Sequence, residues 1–490
     1  MAGAIPDSRR KMTLWNMVAY GSIDFYGGGA FFVIGSLYVV YLTIVVGISP
    51  LQAGTIILAG KVWSAFANPI MGYLSDHTRS RFGRRRVFFL FGLVPIFGML
   101  WLPVQFADPS ATYAYHFAVY LLYNTLFAVT KIPYNSILTE MTPDYAERSK
   151  AMGVRMIFSQ GGSFIGAFLP LTIITLFASQ EQGYFVFGMV FGVLYAIPWI
   201  FGFFGTWENN MVVEKSGSFL AGIIDIFRSF WSTMRNRSFM VHMGMYLLAF
   251  LNLDIFNGIF IFFAVYSLGN DLHAARNVLT IIQASQFLAI PLVTVACYRL
   301  GNAFVYRLSL LVWAAGIVAL SLQPPGAAEY CLIPFCVITG MGLSGAVMIP
   351  WNNQTFMADV DELITTKRRE GIYAGFMQFI RQIAIGLGLF MTNAILQYFG
   401  FVKGSTEQPS SFGAGVRSYL MIAPIIILGL GILVSFMFKL DPASHRTMLD
   451  EIERLKSGGD KKSVPPKTRE VCEKLTGLSY EKLWDPGMVD

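Results

Sequence analysis

Six ionisable side chains stand in stretches of sequence that are otherwise apolar. Asp24, Lys61, Lys131, Asp254 and Arg381 each lie deep in a long hydrophobic run, and Arg155 lies a few residues into another. A charge at the centre of a bilayer costs on the order of 3 kcal/mol or more, so such residues face a cavity or a partner. Asp24, Lys131 and Arg155 are read together as a set that handles a solute, with an ion pair serving only as structural glue as the competing role. Asp24, Asp254 and Lys61 are the candidates for coupling that solute to an ion, and Arg381 is read as a long basic chain snorkelling toward the interface. Lys61, Ser64 and Asn68 fall at i, i+3 and i+7 and share one helix face. That face has one cation, two neutral polar groups and no carboxylate, which suits a sodium ion poorly. With Lys131 and Arg155 it suits an anion or a solute rich in hydrogen-bond acceptors, with Asp24 as counterion and hydroxyl acceptor.

A second polar group, Trp351-Asn352-Asn353-Gln354-Thr355, occupies the inner part of a later apolar run, and Gln378 lies in the next. An indole flanked by amides can stack on a sugar ring, so Trp351 and Gln378 join Asp24, Lys131, Asn135 and Arg155 as candidate substrate-binding residues. Interfacial packing is the alternative for Trp351, since 15% of the chain is aromatic. Glycine clusters at 27–29 and at 161, 162 and 166 are read as close helix packing. No glycine-rich stretch ends in Lys-Ser or Lys-Thr, which argues against an ATP-driven pump. There is no nucleophile elbow, and the five histidines and four cysteines have no metal-ligand spacing, so no enzymatic role, cofactor or metal is expected.

The elements that must position these residues are membrane helices. Of 490 residues, 55% are hydrophobic and 13% charged, and the mean hydropathy is +0.55. A soluble protein is nearer a quarter charged. The net charge of +7 sits in the loops, so it does not indicate nucleic acid as a partner. At about 20 apolar residues per crossing, spans are expected near 14–46, 51–75, 87–106, 112–139, 151–178 and 182–206. After a polar stretch they resume near 237–266, 275–298, 303–322, 329–357, 371–399 and 416–438. The expected fold class is therefore all-α, with twelve transmembrane helices in two six-helix bundles, 1–206 and 237–438. A central cytoplasmic loop, 207–236, joins them, and a cytoplasmic tail, 439–490, carries an amphipathic helix near 445–456. The first run is too long for a cleaved leader. Basic residues gather in alternate connections, at 79–86, 148–150, 215–237, 299–307 and 367–369, which puts both termini in the cytoplasm.

The halves echo each other. Asp24-Phe25-Tyr26-Gly27-Gly28 parallels Asp254-Ile255-Phe256-Asn257-Gly258, and the stretch from Glu140 to Arg148 parallels that from Asp359 to Glu370. A duplicated six-helix unit is the pattern of carriers that rock two halves about a central site.

Three motifs carry a resemblance to a known family. Residues 72–86, with the form Asp-x-Thr-x-x-x-x-Gly-Arg beginning at Asp76, resemble the loop between helices 2 and 3 of the major facilitator superfamily. They are closest to the glycoside–pentoside–hexuronide cation symporters, relatives of melibiose permease. Ile132-Pro133-Tyr134-Asn135-Ser136 with Glu140 to Ser149 resembles the family's fourth-helix motif, and Met357 to Gly371 its connection between helices 10 and 11. The resemblance implies alternating-access transport of a glycoside- or uronide-like solute, with Asp24 and Arg155 at the sugar. The departures are specific. Ser64 and Asn68 stand where relatives place two cation-binding carboxylates, Lys131 where they have an Asp, Asn135 where they have a Trp, and Val87 where a Pro is frequent. Gln382 lies at or beside their eleventh-helix Lys, with Arg381 adjacent. These changes point away from sodium at the usual site and from a neutral galactoside. The expected carrier is proton-coupled, with H+ favoured over Na+ and uniport next. It takes a sugar or uronide, with membrane lipid as its surroundings and a monomer as its unit, in the plasma membrane (the inner membrane of a bacterium). Asp76, Arg84, Glu140, Arg148 and Asp359 would form its cytoplasmic gate as a lattice of weak, reopening ion pairs. A lipid flippase or a membrane sensor on the same fold is the reading from a different class.

Overall fold

The computed structural model describes residues 11–142, 145–208, 219–367, 369–405 and 407–485, and among these residues the chain is helical, with no strand. The first bundle contains α1 (Leu14–Val40), α2 (Pro50–His77), α3 (Ile96–Met99), α4 (Pro109–Met141), α5 (Tyr145–Thr175) and α6 (Gln180–Gly205). A linking helix, α7 (Phe219–Thr233), leads to α8 (Arg237–Phe262), α9 (Leu272–Leu300), α10 (Asn302–Ser321), α11 (Glu329–Thr365), α12 (Glu370–Tyr398) and α13 (Ser410–Ser435). Two further helices, α14 (Pro442–Lys456) and α15 (Pro466–Thr476), form the tail. Among the described residues nine helices are long and apolar enough to cross a membrane, and α2 and α4 add two of crossing length, at 28 and 33 residues.

The remaining span differs from expectation. Residues 87–106 do not form an α-helix. Arg86–Leu93 is a 3-10 helix, the chain breaks at Val94 and Pro95, and α3 adds a single turn. Proline forces the preceding residue out of the helical region, and Val94 is extended, with φ −70 and ψ 122. The polar stretch 207–236 is also more than a loop, because α7 lies within it. Its Phe227 and Phe230 pack against Phe376 and Phe379 of α12, and Phe227 also meets Phe66 of α2. α11 runs to Thr365, two turns beyond the expected end, because its last residues are covered by the tail.

α1 and α8 are the buried centres of their bundles. α1 packs on α5 and α6, and α8 on α11, α12 and α13. Both are apolar around the whole circumference, as a fully covered helix must be. Each ends in a π-helical turn, Tyr41–Val45 and Phe263–Ser267, so the two-fold repeat is visible in the backbone. The halves meet through α2 with α12, α5 with α9, and α1 with α8. Among the described residues, three polar ties across the seam lie at one end. Leu51 N–H donates to Gln397 Oε1 (3.1 Å), Gly404 N–H to Thr43 O (2.9 Å), and Arg276 Nη1 to Thr172 Oγ1 (3.2 Å). The start of α1 and the end of α6 lie at the opposite end, where Asn16 Nδ2 donates to Gly205 O (2.8 Å). The tail is at that same end: Trp484 and Asp485 donate backbone N–H groups to Leu363 and Ile364 at the tip of α11.

Candidate functional site

Small residues let α1 and α5 approach closely. A side chain added at Gly28 would strike the backbone of Ser159, and one added at Gly162 the backbone of Phe25. That contact carries Asp24 and Arg155 to each other, with Arg155 Nε donating to Asp24 Oδ2 (2.7 Å). Lys131 of α4 bonds the other oxygen, Oδ1, and a side chain at Gly27 would occupy the place of this contact. Arg155 Nη2 also donates to Asn135 Oδ1 (2.9 Å), and Nη1 to the Tyr20 hydroxyl (3.4 Å). Both cations lie over the face of Tyr134, with Lys131 Nζ at 4.6 Å and Arg155 Cζ at 4.9 Å from the ring centre. One carboxylate is shared by two cations on an aromatic floor. Asp24 and Lys131 are buried, while Asn135 is exposed. The group therefore carries an excess positive charge and opens at Asn135.

A second charged group joins α8 to α12. Arg381 holds Asp254 with two parallel bonds, Nη1 to Oδ2 (2.6 Å) and Nη2 to Oδ1 (2.8 Å). Arg381 is 3% exposed, so it does not snorkel; a buried carboxylate and two rings hold its guanidinium in place. Those rings are Phe250 at 5.0 Å and Phe31 of α1 at 5.8 Å. Trp351 continues this wall, edge-on to Tyr246 (5.7 Å) and Phe250 (6.3 Å), and its indole is 38% exposed. Gln378, half-buried, lies one turn before Arg381 on α12.

The polar positions on α2 diverge. Ser64 turns to α4, donating to Asn124 Oδ1 (2.9 Å) and to Gly60 O (3.0 Å). Lys61 lies along α12 instead, where a side chain at Gly386 would meet its Cβ at 3.1 Å. The two therefore do not act as one face, and Asn68 lies further along the helix, half-buried.

Residues 84–86 are held by a carboxylate that the sequence reading missed. Three successive backbone N–H groups, of Arg84, Arg85 and Arg86, donate to Glu208 at 2.7–2.9 Å. Gly83 allows this nest, with φ +102 and no room for a Cβ beside Glu208. Arg84 and Arg85 both bridge to Glu140, and Arg148 Nε donates to Thr142 O (2.7 Å). Asp359 pairs with His445 of the tail (2.9 Å), a contact not anticipated for a gate residue. Asp76 lies on α2, and its side chain is outside the described residues. Glu208 stood in the sequence only as part of the polar stretch that begins at residue 207, and nothing local pointed to His445.

Comparisons with known proteins bear on this geometry. A family model described as MFS/sugar transport protein matches residues 19–442. A symporter from Synechocystis is 24% identical, with 91% of this chain and 98% of that protein covered. A protein of Salmonella typhimurium, named as a sulfoquinovose importer, is 25% identical over 92% of this chain and 95% of its own. Among solved structures, the nucleoside transporter NupG superposes with a TM-score of 0.58 at 15% identity, over 86% of this chain and 97% of that one, a likeness of fold.

Proposed function

This chain belongs to the MFS/sugar transport protein family, and we propose that it carries a sugar acid, or another sugar with a fixed negative charge, together with a proton. It is a multi-pass membrane transporter and not an enzyme. The observation that supports an anionic substrate is the sharing of Asp24 between Lys131 and Arg155. One carboxylate leaves a positive excess, which an incoming carboxylate or sulfonate neutralises. The 25% identical relative named for import of sulfoquinovose, a sulfonated sugar, points the same way.

The same geometry supplies a coupling step. An anion that takes the two cations strips Asp24 of its partners. A carboxylate left unpaired at low dielectric binds a proton rather than stay charged. Solute and proton then move together, and leave together when Asp24 regains Lys131 and Arg155. Ring hydroxyls meet Asn135, Gln378 and the exposed indole of Trp351. Sodium is disfavoured because Ser64 and Asn68 are neutral and the Ser64 hydroxyl is committed to Asn124. With both termini in the cytoplasm, the joined end of the halves is the outer one. The gate residues Asp76, Arg84, Glu140, Arg148 and Asp359 then line the inner end.

Uptake into vesicles tests this reading. An acid-outside gradient should drive accumulation of glucuronate or sulfoquinovose above the outside concentration, an uncoupler should abolish it, and sodium should have no effect. Absence of accumulation in every condition would favour uniport.

A lipid-like anion is the second reading. An apolar groove of about 570 Å³ between α2 and α4, lined by Leu58, Val62, Trp63, Phe66, Phe117 and Leu121, would suit an acyl chain. Competition of sugar uptake by a lysophospholipid would favour it.

A further inference from the structure

Lys61 is a cation in the middle of α2 that the Asp24 group does not use. Among the described residues it makes no hydrogen bond and no ion pair. It is half-buried, lies against Gly386 of α12, and is within electrostatic reach of Asp254 and Arg381. Arg381 is fully engaged, since both terminal nitrogens bond Asp254. That pair is close to neutral, so the ammonium of Lys61 supplies the local charge.

Two independent rulers place this group. Along α1, Asp24 holds the first cluster and Phe31 lies under Arg381. Seven residues at 1.5 Å each separate them by roughly 10 Å. Along α2 and α4, Gly60 faces Tyr120 and Asn124 while Gly72 faces Ile132, so Lys61 lies a similar distance from Lys131. Both displacements run toward the end at which the halves are joined. The aromatic wall of Phe250 and Trp351 lies beside this position.

We propose that Lys61, backed by the Asp254–Arg381 pair, is a second receiving station for the anionic group of the solute. It lies about two helical turns from the Asp24 site, toward the joined end. It sits at the seam, on a helix of one half and against a helix of the other. When the halves part at that end, an entering anion passes Arg276, whose guanidinium is bonded to Thr172 and Asn277, and then meets the ammonium of Lys61. Rocking then passes the anion inward to Lys131 and Arg155. Lys61 thus selects charge on the outer face, while the Asp24 group binds the solute for release on the inner face. This station rests on the proposed anionic substrate.

The test uses the full chain in vesicles of known orientation, with sulfoquinovose, glucuronate and neutral glucose as probes. Lys61→Gln should raise KM for the two anions about tenfold when they are supplied at the joined end. KM from the opposite face, and glucose transport, should stay within about twofold. Lys61→Arg should keep the wild-type values. The amide strands no bonded partner, so the variant is expected to fold. Wild-type protein that treats the anions and glucose alike defeats the proposed substrate class, and this station with it. Wild-type protein that prefers anions while Lys61→Gln leaves KM unchanged at both faces, or raises it equally at both, overturns the station alone.

Discussion

The two charged groups of the interior are built from the same residue types on corresponding helices, yet they differ in completeness. In the first half, Asp24 divides its two oxygens between Lys131 and Arg155, and Arg155 reaches on to an exposed Asn135. In the second half, Asp254 gives both oxygens to Arg381 alone, under cover of Phe250 and Phe31. The second arrangement is satisfied and closed. A buried pair of matched forks has little left to offer a ligand, whereas a carboxylate outnumbered by cations leaves donors that a ligand can claim. The difference separates a group that fixes structure from one that can exchange partners.

The strongest way to break this contrast is to remove one member of the closed pair. Asp254→Asn leaves Arg381 charged, buried and half-bonded, a situation that costs about 3–5 kcal/mol. The expected result is a large loss of melting temperature and yield in detergent. The double variant Asp254→Asn with Arg381→Gln should recover most of it, since removing both charges is far less costly than removing one. A single variant as stable as wild type would show that the pair is dispensable.

The open group should respond differently. Lys131→Ala leaves Asp24 with Arg155, so the fold is retained and substrate discrimination changes. KM for a uronate or sulfonated sugar should rise by about tenfold more than KM for its neutral analogue, the equivalent of about 1.4 kcal/mol. Equal losses for both solutes would sink the charge argument and make Lys131 a packing residue.

The two groups were unequally visible in the sequence, for a physical reason. A charge within an apolar run announces itself, because burial in a bilayer demands an explanation. Thus the depth and type of Asp24, Lys61, Lys131, Asp254 and Arg381 were legible. Their partners were not, because pairing depends on which helices cross. Arg381 read as a snorkelling side chain until α8 placed Asp254 against it. Most of the long spans and the amphipathic α14 followed from hydrophobic length and period, and the duplication of the halves was read from paired motifs such as Asp24–Gly28 and Asp254–Gly258. The 3-10 course of residues 86–93 did not, although Pro95 marks its end, and α7 was hidden in a polar stretch whose aromatic face is covered only in the folded chain. Glu208 was missed altogether, because a nest of backbone N–H groups leaves no side-chain pattern.

Glu208 supplies a test of intermediate size. Glu208→Ala removes the acceptor of three backbone donors at once, at a cost of about 1–3 kcal/mol where the site is partly covered. The effect should be local. Residues 79–86 should lose protection from hydrogen exchange while the Asp254–Arg381 region keeps its own. Uniform protection across both would mean that the arginines hold the loop through Glu140 and the backbone of Ser136 and Phe203 without help from Glu208.

The weakest pairs lie where the tail meets the bundle, and they complete the comparison by adding solvent. Lys456 bridges Glu362 with its own side chain 55% exposed, and His445 meets Asp359 at a partly covered edge. Exposed bridges contribute at most about 1 kcal/mol each. Cys472 reports on this docking. It is fully buried on α15, and burial, with Glu451 and Glu473 nearby, pushes its thiol up to about 12. In the docked tail it should resist a maleimide at neutral pH, because the thiolate is both scarce and covered. Lys456→Ala, in a background with the exposed Cys331 replaced by Ser, should raise the labelling rate of Cys472 by no more than about fivefold, the factor that 1 kcal/mol of local opening allows. A rise of a hundredfold would mean that this bridge carries the docking, and that the ties of Ser238 to Leu475 and of Trp484 to Leu363 do not.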